Sequence, residues 1–532
     1  MDEECNIPRL PVILKALFVC KLLNIILFVL LNLCILFAMS DTFISPKTDT
    51  KWYAFYLIGG IWLLFWCITE TSDKNINIDF YIFTIITCCF LNAVYGVFQC
   101  FLILPAAGCH PVVGCFDNPA GFSSAISISF PFCFYFFQKD HWIRIYSTIC
   151  AITMLTAIIL SESRSGILTC FLISVLYLHR LFKLSRRIKL VLLAILVIIV
   201  FCGLYLYKKD SADGRMLIWM CSMEMIKEKP LWGFGNNGFR ANYMDYQAKY
   251  FENNPGSKYV MLAGNVHHPF NEFLRFTVNH GIVGVVLLLT LIFVLLRLSV
   301  QKSDLSRMVH FSLIAIGVFS SFSYPFKYPF TWLTLIFCIS LLMRNAKIIR
   351  KNKILNNTII SVLVVCIPVF LFQKYDQMLI DAKWGTIEKS TNEEIKLTYY
   401  ADLYPKLKNN FLFLYNYSAA LSLNGYYGKS LEIANECNLI FSDYDLELLI
   451  GDNYREIRKY DEAEKCYKQA SKMFPVKFRP LYDLHSLYLA SGKIAKAKEL
   501  AFIIRDKPIK IVSPEVIRIK SEMKQFLKST FN

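Results

Sequence analysis

Residues 266–284, VHHPFNEFLRFTVNHGIVG, gather His267, His268, Asn271, Glu272, Arg275 and His280 within about four helical turns. Histidine titrates near neutrality and suits general acid–base work. Two adjacent histidines cannot point the same way on a helix, so at most one of His267 and His268 is expected to serve catalysis. Any single histidine here is more often a hydrogen-bonded structural residue; the clustering is what draws attention to the stretch. No H-x-x-x-H or E-x-x-H spacing marks a metal site, and neither a metal nor a cofactor is expected.

Two arginines upstream offer anion chemistry. DGRMLIWMCSMEMIKE (213–228) reads as an amphipathic helix with Asp213 near its N-cap, which would put Arg215 in the first turn. A cation there opposes the helix dipole unless an anion such as a diphosphate joins it. A solvated arginine or a phospholipid contact is the plainer alternative. Arg164 lies in SESRSG between two apolar runs, where charge is costly and faces a cavity or a partner; Glu162 is the evident structural partner. GFGNNG (Gly233, Gly235, Gly238) has dinucleotide-fingerprint spacing, but no strand precedes it. A turn between helices is expected, since Pro230 halts the first and the glycines permit positive φ.

The elements that must position these residues are apolar. Of 532 residues 55% are hydrophobic and 18% charged, and mean hydropathy is +0.44, against about 25% charged in globular chains. This excludes disordered, collagenous and disulfide-framework classes. A span needs about 20 apolar residues. Candidates are 22–39, 52–69, 80–104, 120–137, 142–160, 165–180, 188–207, 280–298, 308–323, 326–343 and 355–373. The first is expected to be an uncleaved span rather than a signal peptide, because ten more follow. With the N-terminus inside, nineteen basic residues fall in inner segments and four in the short outer loops, which sets the orientation. The net charge of +17 is therefore assigned to the membrane surface and not to nucleic acid. Most cysteines fall within spans; Cys109 and Cys115 share one outer loop and would be able to pair in an oxidising compartment.

The expected fold is all-α: a polytopic transmembrane bundle of about 11–12 spans over 1–373, with a long outward loop at 208–279. Residues 374–532 are expected to form an outward helical-repeat domain. Ile450, Gly451, Tyr454, Tyr460, Ala463, Tyr467, Ala470 and Pro475 mark one copy. Leu484, Tyr488, Gly492, Ile494, Ala497 and Pro508 mark a weaker second, and Tyr427, Ser430 and Ala434 a degenerate earlier one. The period resembles the tetratricopeptide repeat, whose arrays bind partners on a concave face. A protein partner there, or a structural cap on the membrane domain, are the two readings.

CFDNPAGFS (115–123) with SRSG (163–166), GRMLIW and KPLWGFGNNGF (214–239), and HHPFNEFLRFTVNHGIVG (267–284) together resemble the O-antigen ligase and polymerase superfamily of membrane glycosyltransferases. The resemblance implies transfer of a glycan from an undecaprenyl-diphosphate carrier to an acceptor hydroxyl at the periplasmic face of the bacterial inner membrane. The acceptor would be lipid A-core for a ligase, a growing chain for a polymerase, or a protein hydroxyl for a protein transferase. A lipid-linked sugar transporter would also have many spans, but the long outward loop speaks against it. By resemblance Arg215 and Arg164 bind the diphosphate, and Asn271 and Arg275 belong to the substrate-binding motif. The family commonly has histidine directly before that asparagine. Phe270 stands there, which makes His268 the first substitute as base and His267 the second.

Overall fold

The computed structural model describes residues 9–70, 77–106, 110–179, 202–203, 205–298, 303–344 and 353–529. Among them the chain is helical, without strands. In chain order come α1 (Arg9–Phe37), α2 (Thr48–Glu70), α3 (Ile78–Cys100), α4 (Pro119–Ser129), α5 (Cys133–Phe136), α6 (His141–Leu160) and α7 (Arg164–Leu178). Next are α8 (Lys209–Glu228), α9 (Gly238–Asn253), α10 (Glu272–Leu298), α11 (Asp304–Phe322), α12 (Pro329–Arg344) and α13 (Lys353–Glu388). The tail adds α14 (Glu393–Leu407), α15 (Phe411–Leu423), α16 (Tyr427–Asn438), α17 (Tyr444–Glu456), α18 (Tyr460–Met473), α19 (Arg479–Ala490), α20 (Ile494–Asp506) and α21 (Pro514–Ser529). Two compact units form: one from residues 1–204 with 290–389, the other from 205–289 with 390–532.

The first unit is a polytopic bundle. Six described helices are long and apolar enough to cross a membrane. The spacing of exposed residues gives the reason: Ile145, Ile149 and Ile152 on α6, and Val362, Val365, Val369 and Phe372 on α13, recur at helical intervals and face outward, as lipid-facing stripes do. The remaining five expected spans differ. Residues 52–69 lie in α2, whose first turn is polar, and 165–180 and 326–343 form the short helices α7 and α12. The run 120–137 breaks at a 3₁₀ turn, Phe130–Phe132, because Pro131 cannot continue α4. Most of 188–207, like Cys109 of the suggested cysteine pair, lies outside the described residues. Hydropathy drops at Gln373, but α13 runs on to Glu388, since Trp384 is buried and Gly385 lies tight against the backbone of Thr42 and Phe43.

The second unit joins the loop after residue 204 to the tail in one apolar core. Leu217, Cys221 and Met225 of α8 and Phe239 and Tyr243 of α9 share it with Tyr467, Ala470 and Met473 of α18. Buried Gln247 on α9 donates to the carbonyls of Gly264 (3.0 Å) and Met473 (2.6 Å). The tail helices stack as consecutive pairs, and Gly451 leaves room for the Tyr467 ring, which an added Cβ would meet at 2.8 Å.

The glycine turn expected at GFGNNG lies in residues 229–237, which connect α8 to α9, with Gly233, Gly235 and Asn237 at positive φ. It docks on a break in α10 at Gly281 (φ 61°). There the N–H groups of Phe234 and Gly235 donate to the carbonyls of Val278 and Asn279, and the N–H of Ile282 donates to that of Pro230. A Cβ on Gly281 would lie 2.2 Å from the Leu231 oxygen, whereas one on Gly235 would meet nothing within 4 Å. Gly281→Ala is therefore expected to cost more than about 2 kcal/mol, and Gly235→Ala about 1, the strain of a positive φ alone. Melting of the two purified variants against the parent checks this; equal shifts would contradict the docking argument.

Candidate functional site

In the first unit the motif CFDNPAGFS is built into the helical bundle. Lys51, fully buried, donates from Nζ to the carbonyls of Cys115 (2.7 Å) and Ala38 (3.1 Å). Gln99 holds the preceding loop, its amide donating to the Pro105 and Gly114 carbonyls and its oxygen accepting from the N–H groups of Val113 and Gly114. Asn118 caps α4 through the N–H groups of Ala120 and Gly121 and accepts from the Tyr328 hydroxyl at 3.0 Å. One turn further, the Ser123 and Ser163 hydroxyls meet at 2.6 Å. Two of the sequence motifs are thus brought together at the starts of α4 and α7. Ser163 is the N-cap of α7 and Arg164 is its first residue, half-buried.

The other five site residues belong to the second unit. Arg215 departs from its expected place. α8 begins at Lys209, and Asp213 is not its cap but accepts from the Tyr205 hydroxyl at 3.0 Å. Arg215 therefore sits in the second turn, beyond the unbonded N–H groups, and the first-turn argument does not hold for it. Its guanidinium instead lies over the Phe270 ring, 5.1 Å from the centroid, a cation–π contact. Phe270 takes φ 53°, strained for a residue with a side chain. Trp219, one turn along α8, ties down the same loop by donating to the Pro269 carbonyl at 2.9 Å. Asn271 caps α10, its Oδ1 accepting from the N–H of Leu274. Arg275 pairs with buried Glu272 at 2.7 Å.

His267 meets a residue that sequence reasoning missed. Its Nε2 lies 3.6 Å from Oδ2 of Asp443, a buried residue of the tail. Asp443 caps α17 through the N–H groups of Asp445 and Leu446 and accepts from the Asn265 amide at 2.8 Å. The His267 ring also lies 5.1 Å from that of Phe441. His268 is half-buried in the same loop. Arg240 was missed as well. It occupies the third position of α9, so the first-turn position sought for Arg215 is filled by Arg240. Burial, and then the neighbouring Arg275, pull its pKa below the usual arginine range. Among the described residues no three His, Cys, Asp or Glu side chains converge as a metal site.

The fold, all-helical among the described residues and with six helices of membrane-spanning length, is that of a polytopic membrane protein. Residues 149–289 match the family model described as O-antigen ligase, within a helical chain that has several membrane-length apolar helices. The matched stretch contains Arg164, Arg215, Arg240, His267, His268, Asn271 and Arg275 but neither CFDNPAGFS nor the tail. It supports ligase- or polymerase-type glycosyltransferase activity on a lipid-linked glycan. No curated protein matches the chain.

Proposed function

We propose that the protein transfers a glycan from undecaprenyl diphosphate to a hydroxyl of lipid A-core, at the periplasmic face of the inner membrane. The observation that carries this reading is the O-antigen ligase match over 149–289, which encloses the arginines and both histidines. The acceptor oxygen attacks the anomeric carbon, and the bond from that carbon to the diphosphate oxygen breaks. The diphosphate departs with the bonding electron pair and its added negative charge. Arg215 stabilises that charge through paired N–H donors. Arg164, opening α7 in the membrane unit, keeps the carrier-binding role that the resemblance gives it. The acceptor proton passes to His267, and the Asp443 carboxylate facing it stabilises the resulting imidazolium. A single in-line displacement inverts the anomeric centre.

Phe270 has no site for a proton, so the base must come from elsewhere in the loop. His267 has the nearby carboxylate that a general base uses, which favours it over His268. The test is transfer by the purified full chain with a defined polyprenyl-diphosphate glycan, in EDTA, offered lipid A-core, a second carrier-linked glycan or a peptide. Product on lipid A-core is expected. Product only on the second carrier or on the peptide would replace the ligase by a polymerase or a protein transferase, and no product on any acceptor would overturn the reading.

A further inference from the structure

Arg240 has an environment that the transfer scheme above does not use. Its guanidinium lies over the Phe411 ring, 4.5 Å from the centroid. Phe411 packs against Phe441 at 4.5 Å, and Phe441 against His267 at 5.1 Å. The row of rings therefore leads from Arg240 to the histidine, and two of its members come from the tail. The Arg240 backbone is fixed from the same side, its carbonyl accepting from the N–H of Ser442 at 3.1 Å.

No carboxylate among the described residues forms an ion pair with Arg240, and the nearby acids are engaged elsewhere. Glu272 pairs with Arg275 at 2.7 Å. Asp245 accepts from the Ser442 hydroxyl at 2.9 Å and the Gln469 amide at 3.0 Å. Asp443 serves Asn265, the start of α17 and His267. The charge that Arg240 does feel is that of Arg275, which has the same sign. Glu272 balances Arg275, which leaves the half-buried charge of Arg240 without an ion pair among the described residues, an unfavourable setting unless an anion joins it. A guanidinium lying on a ring face keeps its N–H edge free, and that edge matches two oxygens of a phosphate.

We propose that Arg240, seated on the tail's Phe411 and beside Arg275, forms a phosphate-binding subsite of the second unit. The ligand is a phosphoryl group. Its two sources, the diphosphate of the donor carrier or a phosphorylated sugar of the acceptor, rest on the transferase reading. The subsite gives the tail a direct part in substrate recognition, because the platform under Arg240 lies outside the matched family stretch.

The test measures binding of farnesyl diphosphate and of glucose 6-phosphate by calorimetry to the purified full chain, the Arg240→Gln variant and the Arg240→Lys variant. Circular dichroism and melting check that each is folded. Arg240→Gln is expected to weaken at least one probe roughly tenfold, and Arg240→Lys to weaken it less, since charge survives but the paired donors do not. Loss confined to farnesyl diphosphate assigns the subsite to the donor; loss confined to glucose 6-phosphate assigns it to the acceptor. Should Arg240→Gln fail to fold, a Lys variant that binds both probes like the parent would overturn the proposal. So would a folded Gln variant with unchanged binding, or a parent chain that binds neither probe. Phosphate binding that depends on Arg240 in a chain without transferase activity would keep the subsite and remove the transferase. The converse result would do the opposite.

Discussion

Arg215→Ala is expected to lower glycan transfer by at least about a hundredfold while the chain still reaches the membrane. The leaving diphosphate gains charge only as its bond to the sugar breaks, so a guanidinium bound to it acts mainly on the transition state and the loss belongs in kcat. Arg215 is half-buried and its guanidinium lies over the Phe270 ring, a contact worth about 0.5–1 kcal/mol. Loss of that contact alone is too little to unfold a core that runs from Leu217 to Leu527. Arg215→Lys should recover part of the rate, because a point charge replaces a paired donor. Surface glycan and membrane-inserted protein would be measured in the same cells, and normal glycan in cells carrying only the alanine variant would refute the role.

The sequence was most legible where one stretch of chain decides its own structure. The apolar runs became helices at 78–100, 141–160 and 304–322 because their backbone must be satisfied internally in lipid. The turn at 229–237 was readable because Pro230 and two glycines restrict it locally. The start of α8 was not, since Asp213 makes a plausible cap and only the Tyr205 hydroxyl, folding back to it, shows that the side chain is already engaged. Arg240 carried a usable signal: it follows NNGF, where a left-handed Asn237 ends the turn and α9 begins. Asp443 carried none beyond that of a helix cap. Its partner lies 176 residues upstream, and nothing periodic in either stretch announces the pairing. The same holds for the core shared by loop and tail, which long-range packing creates and hydropathy alone does not resolve. The tail reads as a partner-binding array by its repeat, yet α18 spends one face on α9, where Lys472 pairs with Glu252 at 2.7 Å.

His267→Ala is expected to reduce transfer about a hundredfold or more, the range of a lost general base, and His268→Ala far less. The order is a direct contest between chain position, which favours His268, and geometry, which favours His267. Asp443→Asn then asks what the carboxylate does. Asparagine caps a helix about as well as aspartate, so the start of α17 survives while the charge facing His267 is removed. At 3.6 Å the pair is longer than a hydrogen bond, so the expected loss is modest, roughly tenfold in kcat with KM little changed, well short of a tightly bonded His–Asp pair. Asp443→Ala removes both cap and charge, and should add about 1 kcal/mol of lost stability to the same kinetic defect. Transfer rates and melting of the three variants separate the two functions of Asp443. If Asp443→Asn transfers at the parental rate while Asp443→Ala melts early, the carboxylate is only a cap. If His268→Ala proves the more damaging histidine variant, the base lies one residue further along the loop.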